Sequence, residues 1–349
     1  MSRVQNITLG PEDADQRLDR WLRRRFTQLT QGRIEKMCRK GELRVDGARA
    51  KPAMRLRAGQ SLRIPPLPPP DAPAPSPSGN ELSPADARMI QDCVLFRDQH
   101  LIALNKPPGL PSQGGSGLDG RHVDALSEAL RFGYKDKPSL VHRLDRDTSG
   151  VLLLARTPRV ARRLSEAFRA RETRKIYWAI VAGVPEPRMG TVRYGLVKAA
   201  GHGAGGQGER MQCVPPADVA ATAGAKHATT DFAVIETLAQ RAAWVALVPV
   251  TGRTHQLRAH MAALGHPIIG DGKYGGSGQE KGEHGWGAQL GGEISRKLHL
   301  HARYLRLTHP ITGETLEFTA PLPAHMARSW DIFGWRSTDA PVDPFEAAS

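Results

Sequence analysis

Cysteine is scarce in this 349-residue chain: Cys38, Cys93 and Cys213 are the only three. An odd count without a paired spacing excludes a disulfide framework and a cysteine-built zinc site. No apolar run approaches the roughly eighteen residues of a membrane-spanning helix. The opening MSRVQN lacks the apolar core of a signal peptide, which makes the cytoplasm the expected location. Negative charge is in short supply, with 35 Asp and Glu against 49 Lys and Arg. The net charge of +14 and the pI of about 10.1 favour a polyanionic partner without establishing one. HExxH and the zinc-deaminase signature are absent, and GDGKYGG around Lys273 fails the spacing of a phosphate-binding loop. ATP use is therefore unsupported. No regular alternation of strand and helix appears, so a doubly wound dinucleotide fold is not expected.

What is present divides sharply at Pro65. Residues 65–88 are rich in proline, which sustains neither a helix nor a central strand, and read as a linker with polyproline character. Before it lies a small basic unit. Residues 1–64 hold sixteen Lys and Arg against seven Asp and Glu. Within it, 1–14 reads as an N-terminal extension and 15–64 as a folded module. Leu18, Leu22, Phe26 and Leu29, with Trp21, form one helical stripe that Asp15 can cap. Thr30 can cap a second helix carrying Ile34, Met37 and Cys38, which Gly41 ends. Short strands follow around Leu43, Val45, Leu62 and Ile64. Arg23, Arg24, Arg25, Arg33, Lys36, Arg39, Lys40 and Arg44 cluster on these helices, where they are either a solvated face or a seat for a phosphate backbone.

The larger body, residues 89–328, reads as a mixed α+β domain. CVLF, HLIALNK, KIYWAIVAG, DFAVIETL, AAWVALVPV and LHLHARYLRLTHP are strand-like. Thr157 and Pro158 open a helix over 158–170 with Val160, Leu164 and Phe168 on one face. A second helix is expected from about Thr254 to Gly265. The Gly-rich stretches 198–210 and 275–293 read as surface loops, and residues 329–349 as a C-terminal tail that needs no fixed structure after Trp335.

The densest chemistry lies in LVHRLDRDTSGVLLLA, residues 140–155, where apolar strand ends enclose a polar loop. Asp145 sits among cations that favour its ionised form, so it can serve as nucleophile or general base. A structural salt-bridge loop is the plain alternative. Ser149 lacks evidence of activation as a nucleophile. In VTGRTHQLRAHMAALGHP, residues 250–267, Arg253 projects near a helix start, where it can meet a carboxylate or phosphate. Tyr177 lies midway along a strand, either as core or facing the polar loop. His299 and His301 share a strand side, but no nearby Cys or Asp completes a metal pattern, and no metal is expected.

RLDRWL, GRIEKMCRKGELRVDG and GQSLRI together resemble an S4 RNA-binding domain. HRLDRDTSG, then KIYWA, then GRTHQLRAHMAALGHPIIGD, with LNKPPGLPSQGG ahead of them, resemble the RluA family of pseudouridine synthases, nearest its large-subunit ribosomal members. The combined resemblance covers about residues 15–328. It implies an S4-like module of two helices and short strands, joined by the Pro-rich linker to a catalytic domain with a mainly antiparallel sheet. It further implies isomerisation of uridine to pseudouridine in RNA without metal or cofactor, with large-subunit ribosomal RNA or its assembly particle as partner; a monomer is the simpler reading of the chain. By this resemblance Asp145 is the essential carboxylate, Arg253 pairs with it, and Tyr177 packs on the target base. Arg143 enters the RNA stack, Leu257 lines the pocket, and Arg23, Arg24, Arg33, Lys36, Arg39, Lys40 and Arg44 hold RNA. A related synthase acting on transfer RNA and a catalytically silent ribosomal assembly factor are the alternatives. Gly32 in place of a serine and the long 275–293 insertion depart from the family pattern.

Overall fold

The computed structural model describes residues 4–26, 28–67, 82–114, 121–199, 210–275 and 294–346. Most of the linker and of the two Gly-rich stretches, together with residues 115–117, lies outside them. The chain separates into two compact units, 1–81 and 82–349. Among the described residues no helix is long and apolar enough to cross a membrane.

In the small unit, α1 (Leu18–Arg25) and α2 (Gln31–Lys40) pack on a four-stranded antiparallel sheet. Its strands are β1 (Gln5–Thr8), β2 (Arg44–Val45), β3 (Ala48–Arg49) and β4 (Ser61–Ile64). Leu18, Trp21, Leu22 and Leu29 are buried with Ile34, Met37 and Cys38, and Phe26 is half-buried beside them. Thr30 Oγ1 accepts the Arg33 amide at 3.3 Å, and Gly41 ends α2 at φ +72°. Asp15 is not the cap of α1: it is left-handed at φ +59°, and Arg17 holds the cap position without a side-chain hydrogen bond. Residues 1–14 are not an extension either. β1 pairs with β4, Leu9 is buried, and Asp13 accepts the Trp21 indole N–H at 2.6 Å. This strand escapes sequence reading because an edge strand with one half-buried residue has no alternation to show.

The large unit opens with α3 (Pro84–Asp92), which begins inside the stretch read as linker. The proline excluded a helix only if it lay in the interior. Here Ser83 caps the Asp86 amide at 3.0 Å and Pro84 takes the first position, where its missing N–H costs nothing. Then follow β5 (Val94–Arg97), β6 (Leu101–Lys106), α4 (Val123–Leu126), β7 (Ser139–Leu140) and β8 (Ser149–Ala155). α5 (Pro158–Ala170) begins at the Thr157 cap, and leads to β9 (Arg174–Ala182), β10 (Met189–Lys198) and β11 (Met211–Val214). The unit continues through β12 (Lys226–Leu238), β13 (Ala242–Pro249), α6 (Gln256–Ala263), β14 (Leu300–Thr308), β15 (Thr315–Thr319) and α7 (Ala324–Phe333).

One sheet carries all of these strands in the order β11-β10-β12-β13-β9-β14-β8-β6-β5, with β7 on β8 and β15 on β14. Its pairings are antiparallel except β14 with β8. The parallel contact requires Gly150, at φ +108°, because a Cβ there would lie 2.2 Å from the Ala302 carbonyl oxygen. Strand period divides the core. Ile176, Trp178 and Ile180 of β9 join Trp244 of β13, Trp330 of α7 and Trp335 on one face. Ala179 and Val181 join Val245, Leu247, Leu257 and Met261 on the other. Tyr177 belongs to that second face, the one α6 covers.

Residues 329–349 are thus not a free tail. Trp330 is 2% exposed, and Arg174 binds Asp343 through two hydrogen bonds of 2.6 and 2.8 Å. Replacing the Trp330 side chain by a methyl should cost about 3–5 kcal/mol, the usual range for a buried tryptophan. Urea unfolding of Trp330→Ala measures it; an unchanged midpoint would restore the tail reading.

His299 and His301 serve the same core. His299 Nε2 lies 2.8 Å from Ser329 Oγ, while His301 bridges Ser149 Oγ at 2.8 Å and the Ala320 carbonyl at 3.1 Å. Burial pulls the pKa of His299 and His260 down to about 4 and of His301 down to about 3. The unfolded chain takes up these protons below about 6.5, whereas the folded chain does not. Stability should therefore fall between about pH 6.5 and 4, by up to about 1.4 kcal/mol per pH unit for each histidine. Urea midpoints at pH 7.5 and 5 check this, and equal midpoints would contradict it.

Candidate active site

The polar loop from Val141 to Thr148 connects β7 and β8 and is braced from behind. Ser112 Oγ donates to the Leu144 carbonyl at 2.7 Å and accepts the Leu144 amide at 3.0 Å. Lys106, fully buried, donates to the carbonyls of Pro107, Leu110 and Arg146 at 2.9, 2.8 and 3.0 Å. Burial lowers its pKa to about 7, against the attraction of Asp147 and Asp145. Three carbonyl acceptors for its three protons favour the ammonium form. The Thr148 amide donates to the Asp145 carbonyl at 3.2 Å and closes the turn. A loop fixed on both sides by buried donors presents its carboxylate on a rigid support.

Asp145 faces a cavity of about 580 Å³, within the range of a ligand pocket. Tyr177, Leu257, Leu300, His255 and Arg258 line it with Asp145. The Asp145 side chain is 26% exposed, so it is reachable from the cavity. Tyr177 reaches this side because alternation along β9 turns it away from the tryptophan cluster. Its phenol is made less acidic by burial first and by the Asp145 charge second, and stays protonated at neutral pH. Leu257 is buried against the same wall.

The cation beside Asp145 is Arg258, not Arg253. Arg258 Nη1 lies 3.9 Å from Asp145 Oδ2, and its guanidinium binds Asp271 through two hydrogen bonds of 2.7 Å. Arg253 is exposed and donates instead to the His227 carbonyl at 3.2 Å. The reason is where the helix starts. α6 begins at Gln256, two residues beyond the expected Thr254. Gln256 Oε1 accepts the Thr251 hydroxyl at 2.6 Å and the Arg253 amide at 3.1 Å, which locks Arg253 into the preceding turn. Arg258 lies one helical turn beyond His255 and shares its face. The helical spacing inside HQLRAH was the signal that could have found it.

Two further residues of the site were not expected there: His255, whose five-residue spacing from His260 argued only against a metal pair, and Tyr274. His255 occupies the cap position at φ +51° and places Nε2 3.8 Å from Asp145 Oδ2. Tyr274 meets His255 Nδ1 through its hydroxyl at 3.0 Å. Nothing short of the fold brings Tyr274, nineteen residues on, to that position. At the cavity mouth Arg143 donates to Thr254 Oγ1 at 3.2 Å. His142 stacks on Phe168 and accepts the Leu153 amide at Nε2, so its role is structural; burial holds its pKa down to about 3. Ser149 is close to His301, but both are almost fully buried, which denies a substrate access. Among the described residues no group of three His, Cys, Asp or Glu could hold a metal.

In the small unit, Arg23, Arg24, Arg33, Lys36, Arg39, Lys40 and Arg44 are all exposed. They flank the buried residues of α1 and α2, so the stripe that builds the core also displays the cations. Arg44 is tied to the carbonyls of Gly41 and Gly47, at 3.4 and 3.0 Å.

Comparison with known proteins agrees with both units. The RNA pseudouridylate synthase family matches residues 100–263, and the S4 domain matches residues 16–62. The ribosomal large subunit pseudouridine synthase C of Vibrio cholerae is 34% identical over 333 residues, covering 94% of this chain and 96% of that protein. Its counterpart in Yersinia pestis is 37% identical, covering 91% and 92%. The solved structure of human RNA pseudouridylate synthase domain containing 4 superposes with a TM-score of 0.54 at 31% identity, over 71% of this chain and 95% of that one.

The two arginines make opposite predictions. Arg258→Lys, which keeps charge but loses the bidentate fork, should lower turnover on the order of 10²-fold. Arg253→Gln should leave kcat within about threefold. Single-turnover kinetics on a ribosomal RNA transcript separates them, and the reverse ranking would return the pairing to Arg253.

Proposed function

The chain belongs to the RNA pseudouridylate synthase family, and we propose that it isomerises particular uridines of large-subunit ribosomal RNA to pseudouridine. The observation that carries this reading is Asp145, a reachable carboxylate facing Arg258 and Tyr177 in a cavity of nucleoside size. The names of its relatives support the large-subunit substrate, and the S4 domain supports RNA as the ligand.

The reaction breaks the C1′–N1 bond, rotates the uracil and joins C1′ to C5. A proton leaves C5 and one is gained at N1, so atoms and electrons balance without a cofactor. Asp145 can attack C1′, add to uracil C6 or remove the C2′ proton; each route needs a charged carboxylate within reach of the bound nucleoside. Arg258 supports that charge. Uracil must leave the RNA stack to rotate, and Arg143, at the cavity mouth, is placed to fill the gap it leaves. Tyr177 offers a ring face to the base and a neutral hydroxyl that can pass a proton but not act as a phenolate. Leu257 and Leu300 keep water from a detached base. The exposed cations of α1 and α2 supply phosphate contacts whose affinity falls with salt. A monomer acting in the cytoplasm completes the proposal.

The test is pseudouridine mapping of ribosomal and transfer RNA from cells lacking the gene, complemented with wild type or Asp145→Ala. Large-subunit sites restored by wild type alone are expected. Loss confined to transfer RNA would overturn the substrate. Full restoration by Asp145→Ala would overturn the chemistry.

A further inference from the structure

The neighbours of His255 favour one tautomer. The Tyr274 oxygen accepts the Met211 amide at 2.8 Å, so its single proton is free for its other neighbour, His255 Nδ1, at 3.0 Å. A nitrogen that accepts there leaves the ring proton on Nε2. Nε2 approaches Asp145 at Oδ2, 3.8 Å away, and Arg258 Nη1 approaches that same oxygen at 3.9 Å. Both separations exceed a hydrogen bond, as catalytic contacts often do before substrate closes the site. His255 is held for this in a left-handed backbone conformation that a residue with a side chain rarely adopts.

We propose that His255 is a positioning residue for Asp145: Tyr274 fixes it as the neutral Nε2–H tautomer, whose proton and the Arg258 guanidinium converge on Oδ2 and leave Oδ1 as the reacting oxygen. The proposal rests on the pseudouridine synthase reading and adds which oxygen reacts and what aims it. A neutral donor steers the carboxylate without taking up its charge, a task an imidazolium would perform less well by stabilising the resting anion. Burial is the main force keeping the ring neutral, and Arg258 and Lys273 act with it, against Asp145 and Asp271. Protonation at Nδ1 would also break the bond from Tyr274, whose ring lies beneath the guanidiniums of Arg258 and Arg210 at 5.2 and 5.6 Å.

The test uses the full chain labelled with ¹⁵N-histidine, with the His255 signals assigned as those lost in His255→Gln. Free of substrate at pH 7, His255 should show a protonated Nε2 and a bare Nδ1, and Tyr274→Phe should mix the tautomers. With a large-subunit RNA transcript, Tyr274→Phe should lower kcat about tenfold, the worth of one such hydrogen bond, with KM within about twofold. Its acid limb should move to higher pH, because Nδ1 is then free to protonate. His255→Gln, whose amide nitrogen reaches the Nε2 position, should retain more activity than His255→Leu. A protonated Nδ1 at pH 7 would overturn the proposal. So would a Tyr274→Phe chain that loses activity while tautomer and pH profile stay put, since that marks a purely structural role. The tautomer is read without substrate, so its failure is distinct from a wild-type chain that forms no pseudouridine.

Discussion

The site depends on one buried guanidinium. Removing a cation from water costs several kcal/mol unless strong acceptors replace the solvent, and Asp271 replaces it for Arg258 with two hydrogen bonds of 2.7 Å. Asp271 is itself completed by the amides of Lys273 and Tyr274, at 3.0 and 3.2 Å. The geometry commits Nε and Nη2 to Asp271 and turns Nη1 towards Asp145. One charge thus serves two carboxylates unequally. The Asp271 carboxylate is saturated, and that of Asp145 is approached at 3.9 Å without a hydrogen bond. A carboxylate gripped by both arms of the fork would be charged and inert; one without a cation in a half-buried cavity would tend to take up a proton.

That arrangement requires α6 and the turn after it to meet the loop before β8 in one register, and the sheet supplies it. β9 and β13 are buried on both faces. The tryptophans and α7 close one side, and α6 closes the other. The aromatic cluster on the far face makes the two central strands rigid, and Tyr177 and the floor of the cavity sit on them. The C-terminal segment therefore bears on the site although none of its described residues lines the cavity: Trp330 backs Trp178 on the strand that carries Tyr177, Trp335 backs Trp244 on the neighbouring strand, and Asp343 ties down Arg174 at the start of the first.

What the sequence revealed, and what it hid, follows range of interaction. α2 and α5 were legible because their stops or starts are local: Thr30 and Thr157 each bond an amide three residues on, and Gly41 can turn left-handed where other residues resist. The loop holding Asp145 was legible because its polar residues stand between apolar strands. Arg253 was misplaced because a run of letters does not show where a helix begins. Only the bond from Gln256 back to Thr251 and Arg253 delays it to Gln256 and brings Arg258 to the carboxylate. β1 and α7 were missed for another reason. Each is defined by a partner far along the chain, β4 for one and the central strands for the other, and neither leaves a strong local period. Tyr274 is the extreme case, since its role exists only through His255 and Met211.

Charge is distributed as unevenly as structure. Sixteen of the 49 basic residues and seven of the 35 acidic ones lie in the first 64 positions, which leaves 33 against 28 for the rest. The excess is therefore much denser in the small unit, +9 over 64 residues, than in residues 82–349, where 33 Lys and Arg stand against 26 Asp and Glu. This separation has a physical use. Attraction to a phosphate backbone is long-ranged, indifferent to base and weakened by salt. The chemistry proposed for Asp145 needs the reverse: short-ranged contacts, a cavity that excludes water, and no surplus cation to neutralise the carboxylate. A strongly basic cavity would bind RNA more tightly and depress the reactivity of the group it had brought there. Placing more of the affinity on one unit and the reactivity on another lets each be set without compromising the other.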